Sequence, residues 1–168
     1  MVDLKPGDKA PLFTLDSSEG KVLSLQSFLG KSDVILYFYP KDNTPGCTQE
    51  ACSFQEALAG LKKAKAVVLG ISRDSVSAHQ RFVQKFGLSF PLLSDPDAIV
   101  CKAYGVYQLK KNYGREYWGI DRSTFIIGVD GRIIECFRHV KVKGHVESVI
   151  LALKEAQGAR KQNKKPPK

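Results

Sequence analysis

Two cysteines five residues apart, Cys47 and Cys52, stand in the segment Tyr39-Pro40-Lys41-Asp42-Asn43-Thr44-Pro45-Gly46-Cys47-Thr48-Gln49-Glu50-Ala51-Cys52. A thiolate is a nucleophile and a thiol is not, so chemistry here depends on ionising one of the two sulfurs. The neighbouring residue types offer a means. Thr44 suits the N-cap of a helix, Pro45 its first position, and Gly46 lets other groups approach the backbone. Cys47 then falls in the first helical turn, where free N–H groups and the helix dipole favour a negative sulfur. A free cysteine is most often a small core residue. Cys47 fits that description poorly, because it sits among turn and capping residues rather than in an apolar run.

The spacing to Cys52 differs from the Cys-x-x-Cys pair of a thioredoxin-type reductase. Five residues along a helix rise ~7.5 Å and turn roughly 140° away from alignment, which sets the two Cα atoms roughly 8–9 Å apart. A disulfide needs them within about 7 Å. If Cys47 and Cys52 bond, the first turn must unwind. The competing reading makes Cys52 a helix residue facing the core.

The elements that must position this segment follow from the apolar pattern. Residues 21–25 suggest a short strand, and 33–39 (DVILYFY) a buried one. A helical pattern follows over 47–63, with Ala51, Phe54, Leu58 and Leu61 on one stripe. A second buried strand is expected at 66–72, then a helix from an N-cap at Ser75 to Phe86, stopped by Gly87. Residues 90–93 suggest a strand, and 96–104 a short helix with Asp95 as N-cap. Residues 123–129 and 132–139 flank Asp130-Gly131, a strong hairpin signal. A last helix is expected over 146–157, with Gly158 as its stop. Alternating strands and helices predict an α/β, thioredoxin-like fold with an N-terminal extension, its central mixed sheet flanked by helices.

The 168 residues suit one domain and are 43% hydrophobic, near the globular norm. Four cysteines are too few for a disulfide-stapled scaffold, and no run approaches the ~18 apolar residues of a membrane span. No signal peptide is visible, so a reducing, cytoplasmic setting is expected. The net charge is +9, of which five units belong to Arg160, Lys161, Lys164, Lys165 and Lys168. The expected organisation is a domain over residues 1–158 and a disordered basic tail over 159–168. A nucleic-acid role for the tail is the alternative to a solubilising one; no nucleic-acid partner is expected.

The pattern Tyr39-Pro40-x-x-x-Thr44-Pro45-Gly46-Cys47-Thr48-x-Glu50-x-Cys52 resembles the peroxidatic motif of peroxiredoxins. The Cys-x4-Cys spacing is similar to that of the bacterioferritin comigratory protein (peroxiredoxin Q) subfamily. Residues 7–15, 68–72, 90–95 and 122–127 share in the resemblance. It implies a thiol-dependent peroxidase acting on hydrogen peroxide and organic hydroperoxides. Cys47 would be the peroxidatic cysteine and Cys52 the resolving one, joined in an intramolecular disulfide. Pro40 would shield the pocket, and the Thr44 hydroxyl would bond the thiolate and the peroxide. Arg122 would keep Cys47 ionised and stabilise charge on the peroxide oxygens. Glu50 would orient an arginine; it could equally be a solvated acid that suits the helix dipole. The resemblance further implies re-reduction by thioredoxin or a glutaredoxin-like protein, a monomer, and no metal, haem or flavin. A thiol:disulfide reductase is the rival enzyme.

Cys101 and Cys136 are expected to be structural. Cys136, His139 and His145 make a poor metal set, because Cys136 and His139 fall on opposite faces of a strand. His79 is expected to be an exposed helix residue. Tyr107, Tyr113, Tyr117 and Trp118 lie in a loop-rich stretch, where they either wall a pocket or anchor loops.

Overall fold

A computed structural model describes residues 2–163. Its central sheet has seven strands: β1 (Thr14–Ser17), β2 (Val22–Ser24), β3 (Asp33–Phe38), β4 (Ala66–Ser72), β5 (Leu92–Ser94), β8 (Ser123–Ile127) and β9 (Ile133–Phe137). Their order is β2-β1-β5-β4-β3-β8-β9. β3, β4 and β5 run parallel, whereas β1, β2, β8 and β9 pair antiparallel with their neighbours. The helices are α1 (Pro45–Lys63), α2 (Val76–Phe86), α3 (Ile99–Ala103) and α4 (His145–Asn163). The fold is the expected thioredoxin-like one.

β3 is buried along its whole length, as its unbroken apolar run implies. Its side chains alternate between two cores. Val34, Leu36 and Phe38 join Phe13, Ile71, Tyr104 and Phe125 on one face. Ile35, Tyr37 and Tyr39 join Cys47, Phe54, Leu58 and α4 residues Val149 and Leu153 on the other. The central strand therefore anchors the second face to the very helix that carries the cysteine pair.

Ser75 caps α2 as expected, accepting from the Ala78 amide, and Gly87 ends it in the left-handed conformation. Other expectations need correction. Residues 107–120 form a separate hairpin, β6 (Tyr107–Asn112) and β7 (Arg115–Ile120), rather than loops. Tyr107 and Trp118 stack across it at 5.7 Å. α3 begins at Ile99, not Pro96; the Asp95 carboxylate nevertheless accepts from the amides of Val100 and Cys101. α4 passes through Gly158 to Asn163, so the disorder expected from residue 159 does not hold for 159–163. Arg160 pairs with the buried carboxylate of Asp33, Nη2 to Oδ2 at 2.6 Å, and this contact carries the helix past its expected stop. Residues 164–168 lie outside the described residues. Among the described residues, no helix is long and apolar enough to cross a membrane.

Candidate active site

The cysteine segment leaves the carboxyl end of β3, where open α/β sheets bind ligands. Pro40 is exposed at the turn. The loop behind it is pinned by Asp42. The Asp42 carboxylate accepts from the Tyr39 hydroxyl at 2.5 Å and lies 2.6 Å from His79 Nδ1. The Asp42 amide donates to Asp74 Oδ2. His79 is fully buried, and its Nε2 faces the Leu93 carbonyl at 2.9 Å. The exposed position expected for His79 is thus wrong, because its partners come from distant segments.

Thr44 has the extended backbone of an N-cap residue and Pro45 opens α1, but the Thr44 side chain does not cap the helix. Its hydroxyl donates to the Lys41 carbonyl at 2.8 Å. That uses its single proton, so Thr44 presents only acceptor lone pairs to the pocket rather than donating to the sulfur as the resemblance implies.

Cys47 is 1% exposed. Arg122, between β7 and β8, spans two partners. Its Nη2 donates to Cys47 Sγ at 3.3 Å, and its Nη1 donates to Glu50 Oε1 at 2.7 Å. Gly46 makes room for this approach, since a Cβ there would stand 3.2 Å from Arg122 Nη2. Glu50 is fully buried, which removes the solvated reading. Burial works against the Arg122 charge, yet Glu50 and Cys47 together hold its pKa above the ordinary value. Burial pushes Glu50 up to about 7 despite the pull of Arg122.

Two residues behind this pair, His145 and Tyr37, receive no site role from the sequence. His145 opens α4, and its Nε2 lies 2.7 Å from the Thr124 hydroxyl and 4.0 Å from Glu50 Oε2. Phe54 and Phe137 meet its ring edge-on. Burial, then the Arg122 charge, pushes His145 down to about 4, leaving it neutral near neutral pH. Tyr37 lies on the same side, with its hydroxyl buried and without a hydrogen-bond partner among the described residues. Burial, then Glu50 and Cys47, raises its pKa. Tyr37 reads only as part of the buried run 33–39, and His145, beyond a lysine-rich turn, only as a member of a poor metal set.

Cys52 is half-buried on α1 and, like the other three cysteines, free. Cys101 is buried, and its thiol is pushed up by burial and by Asp95. Cys136 is half-buried and also raised, chiefly by burial. Both are therefore poor nucleophiles. No group of three metal-ligating side chains occurs among the described residues.

The AhpC/TSA family model matches residues 6–136. The chain belongs to the AhpC/TSA family of peroxiredoxins. A putative peroxiredoxin bcp from Coxiella burnetii is 54% identical over 149 residues, 89% of this chain and 98% of that protein. Peroxiredoxin Bcp from Bacillus subtilis is 45% identical, over 89% of this chain and 94% of its own. The crystal structure of a mutant PrxQ from Xylella fastidiosa matches with a TM-score of 0.88 at 42% identity, covering 94% of this chain and 99% of that one. Peroxiredoxin membership makes the chain a thiol-dependent peroxidase, with a hydroperoxide substrate and a need for a reductant. The segment matched by the family model ends at residue 136, before α4 and His145, whereas the Xylella fastidiosa structure matches over 94% of the chain.

Proposed function

We propose that Cys47 attacks hydrogen peroxide and organic hydroperoxides, and that Cys52 resolves the product. The observation that carries this reading is the guanidinium of Arg122, bonded to Cys47 Sγ and to Glu50 at once. A permanent charge beside the sulfur favours the thiolate. The same charge stabilises negative charge developing on the peroxide oxygens. Attack leaves Cys47 as sulfenic acid, and condensation with Cys52 releases water and forms a disulfide. Intact α1 keeps the two sulfurs on different faces, so condensation requires its first turn to open. Thioredoxin or a glutaredoxin-like dithiol protein re-reduces the bond by exchange. Thr44 and Pro40 bound the pocket, the former as an acceptor for the peroxide proton. The raised thiols of Cys101 and Cys136 support Cys52 as the resolving partner. The protein works as a monomer in the reducing cytoplasm.

Non-reducing mass mapping after one equivalent of peroxide tests this reading. A bond between Cys47 and Cys52 is expected. Cys47→Ser should abolish turnover, and Cys52→Ser should stall at sulfenic acid after one turnover. Retained peroxidase activity in Cys47→Ser refutes the assignment.

A further inference from the structure

Arg122, itself half-buried, meets two groups that are shielded from water. Cys47 is 1% exposed and Glu50 fully buried. Among the described residues, Arg122 is the one lysine or arginine that pairs with Glu50. One cation can neutralise one anion. If thiolate and carboxylate were both ionised, the site would hold an uncompensated buried negative charge, which a protein interior disfavours strongly. Glu50 also has an unsatisfied side. Its Oε1 is bonded to Arg122, while its buried Oε2 has no hydrogen-bond partner among the described residues. A carboxylate oxygen without donors is a poor place for charge and a natural place for a proton.

We infer that Cys47 and Glu50 share one proton across Arg122: Glu50 takes it up as the Cys47 thiol ionises and gives it up as the sulfur becomes sulfenic acid. This rests on Cys47 being the peroxidatic residue. The balance is closed. Cys47–SH and Glu50–COO⁻ become Cys47–S⁻ and Glu50–COOH. The thiolate attacks R–O–O–H; the S–O bond forms, the O–O bond breaks, sulfur loses two electrons and the peroxide gains them. Cys47–SOH and RO⁻ result. Glu50 then releases its proton, one proton completes ROH, and the site again holds one cation and one anion.

The groups facing Glu50 agree with this exchange. Cys47 shares its helix, Tyr37 comes from β3, Arg122 and Thr124 from the β8 side, and His145 from α4. Tyr37 and His145 are both neutral near neutral pH, so neither supplies a second charge. Glu147 acts on His145 from the first turn of α4.

Difference infrared spectroscopy on the reduced, full-length Cys52→Ser protein tests the exchange at neutral pH. That variant stops at sulfenic acid, so α1 stays closed. One equivalent of hydrogen peroxide should remove the carbonyl stretch of a protonated carboxyl and add a carboxylate band. Glu50→Gln should abolish both changes. By removing a negative charge beside the sulfur, it should also speed alkylation of Cys47 by up to about tenfold. If Cys47 is oxidised but no carboxyl changes state, the shared proton is refuted and the peroxidatic assignment stands. If Cys47 takes up no oxygen, both fall. The spectrum of the Cys52→Ser protein decides the matter even if Glu50→Gln does not fold.

Discussion

Glu50 and His145 should impose opposite pH dependences on folding stability. Folded Glu50 keeps its proton up to about 7, against an ordinary value of 4.5. The unfolded chain releases that proton earlier, so the contribution of Glu50 is full below pH 4.5 and is lost as pH rises through 7. The interval corresponds to about 3 kcal/mol. Folded His145 stays neutral down to about 4, against an ordinary 6.5. Its contribution is therefore present above 6.5 and is lost as pH falls through 4, with a size of about 2–3 kcal/mol. Over the shared range the two trends oppose each other, and the pair together contributes little slope. Single variants uncover the remaining member. Relative to the parent protein, Glu50→Gln should gain about 3 kcal/mol between pH 4.5 and 7, and His145→Phe should lose about 2–3 kcal/mol over a similar range. Urea unfolding of the reduced proteins at several pH values measures both differences. Differences that are flat, or that share one sign, would refute the burial argument for this pair.

Two further outcomes follow from single contacts. Arg122→Lys cannot reach both Cys47 and Glu50 with one ammonium, so one charge-assisted hydrogen bond worth about 1.5–3 kcal/mol is lost. Peroxidase kcat/KM should fall roughly ten- to a hundredfold, and stopped-flow rates within about twofold of the parent would contradict the bridging role. Arg160→Ala leaves the Asp33 carboxylate buried with weaker partners. It should cost about 2–3 kcal/mol in urea unfolding, allowing for the partial exposure of Arg160, while peroxide turnover holds.

The parts of the molecule that the sequence disclosed are those whose causes are local. The run from Asp33 to Tyr39, the Thr44-Pro45-Gly46 helix start, the Ser75 and Gly87 caps and the Asp130-Gly131 turn are each determined by a few adjacent residues. The parts that stayed hidden are those whose causes are distant. His79 sits on a polar-looking helix and is buried because Asp42 and Leu93 receive its ring. Gly158 reads as a stop, yet Arg160 two residues on is held by Asp33. The β6–β7 hairpin buries only Ile120 fully and packs little else of itself into the core, so no alternation marks it. Within the site, Cys47 was legible from its turn. The partnership of Glu50 with Arg122 spans 72 residues and needed a family resemblance to be suspected. His145 needed the coordinates.

The pin at Asp42 also bears on timing. Bonds to Tyr39, His79 and Asp74 fix the chain just upstream of the reactive turn. On the proposed mechanism, opening α1 to join Cys47 and Cys52 mobilises only about ten residues between that pin and Cys52. Closing a loop of this length takes roughly 10–100 ns, and adding helical residues takes about a nanosecond each. The buried contacts of Cys47, Glu50 and Ala51 must also break and re-form, which places the opening in the slower range of local unfolding, microseconds to seconds. On the proposed mechanism the opening of α1 enters the turnover time, and changes to its speed should register in steady-state rates.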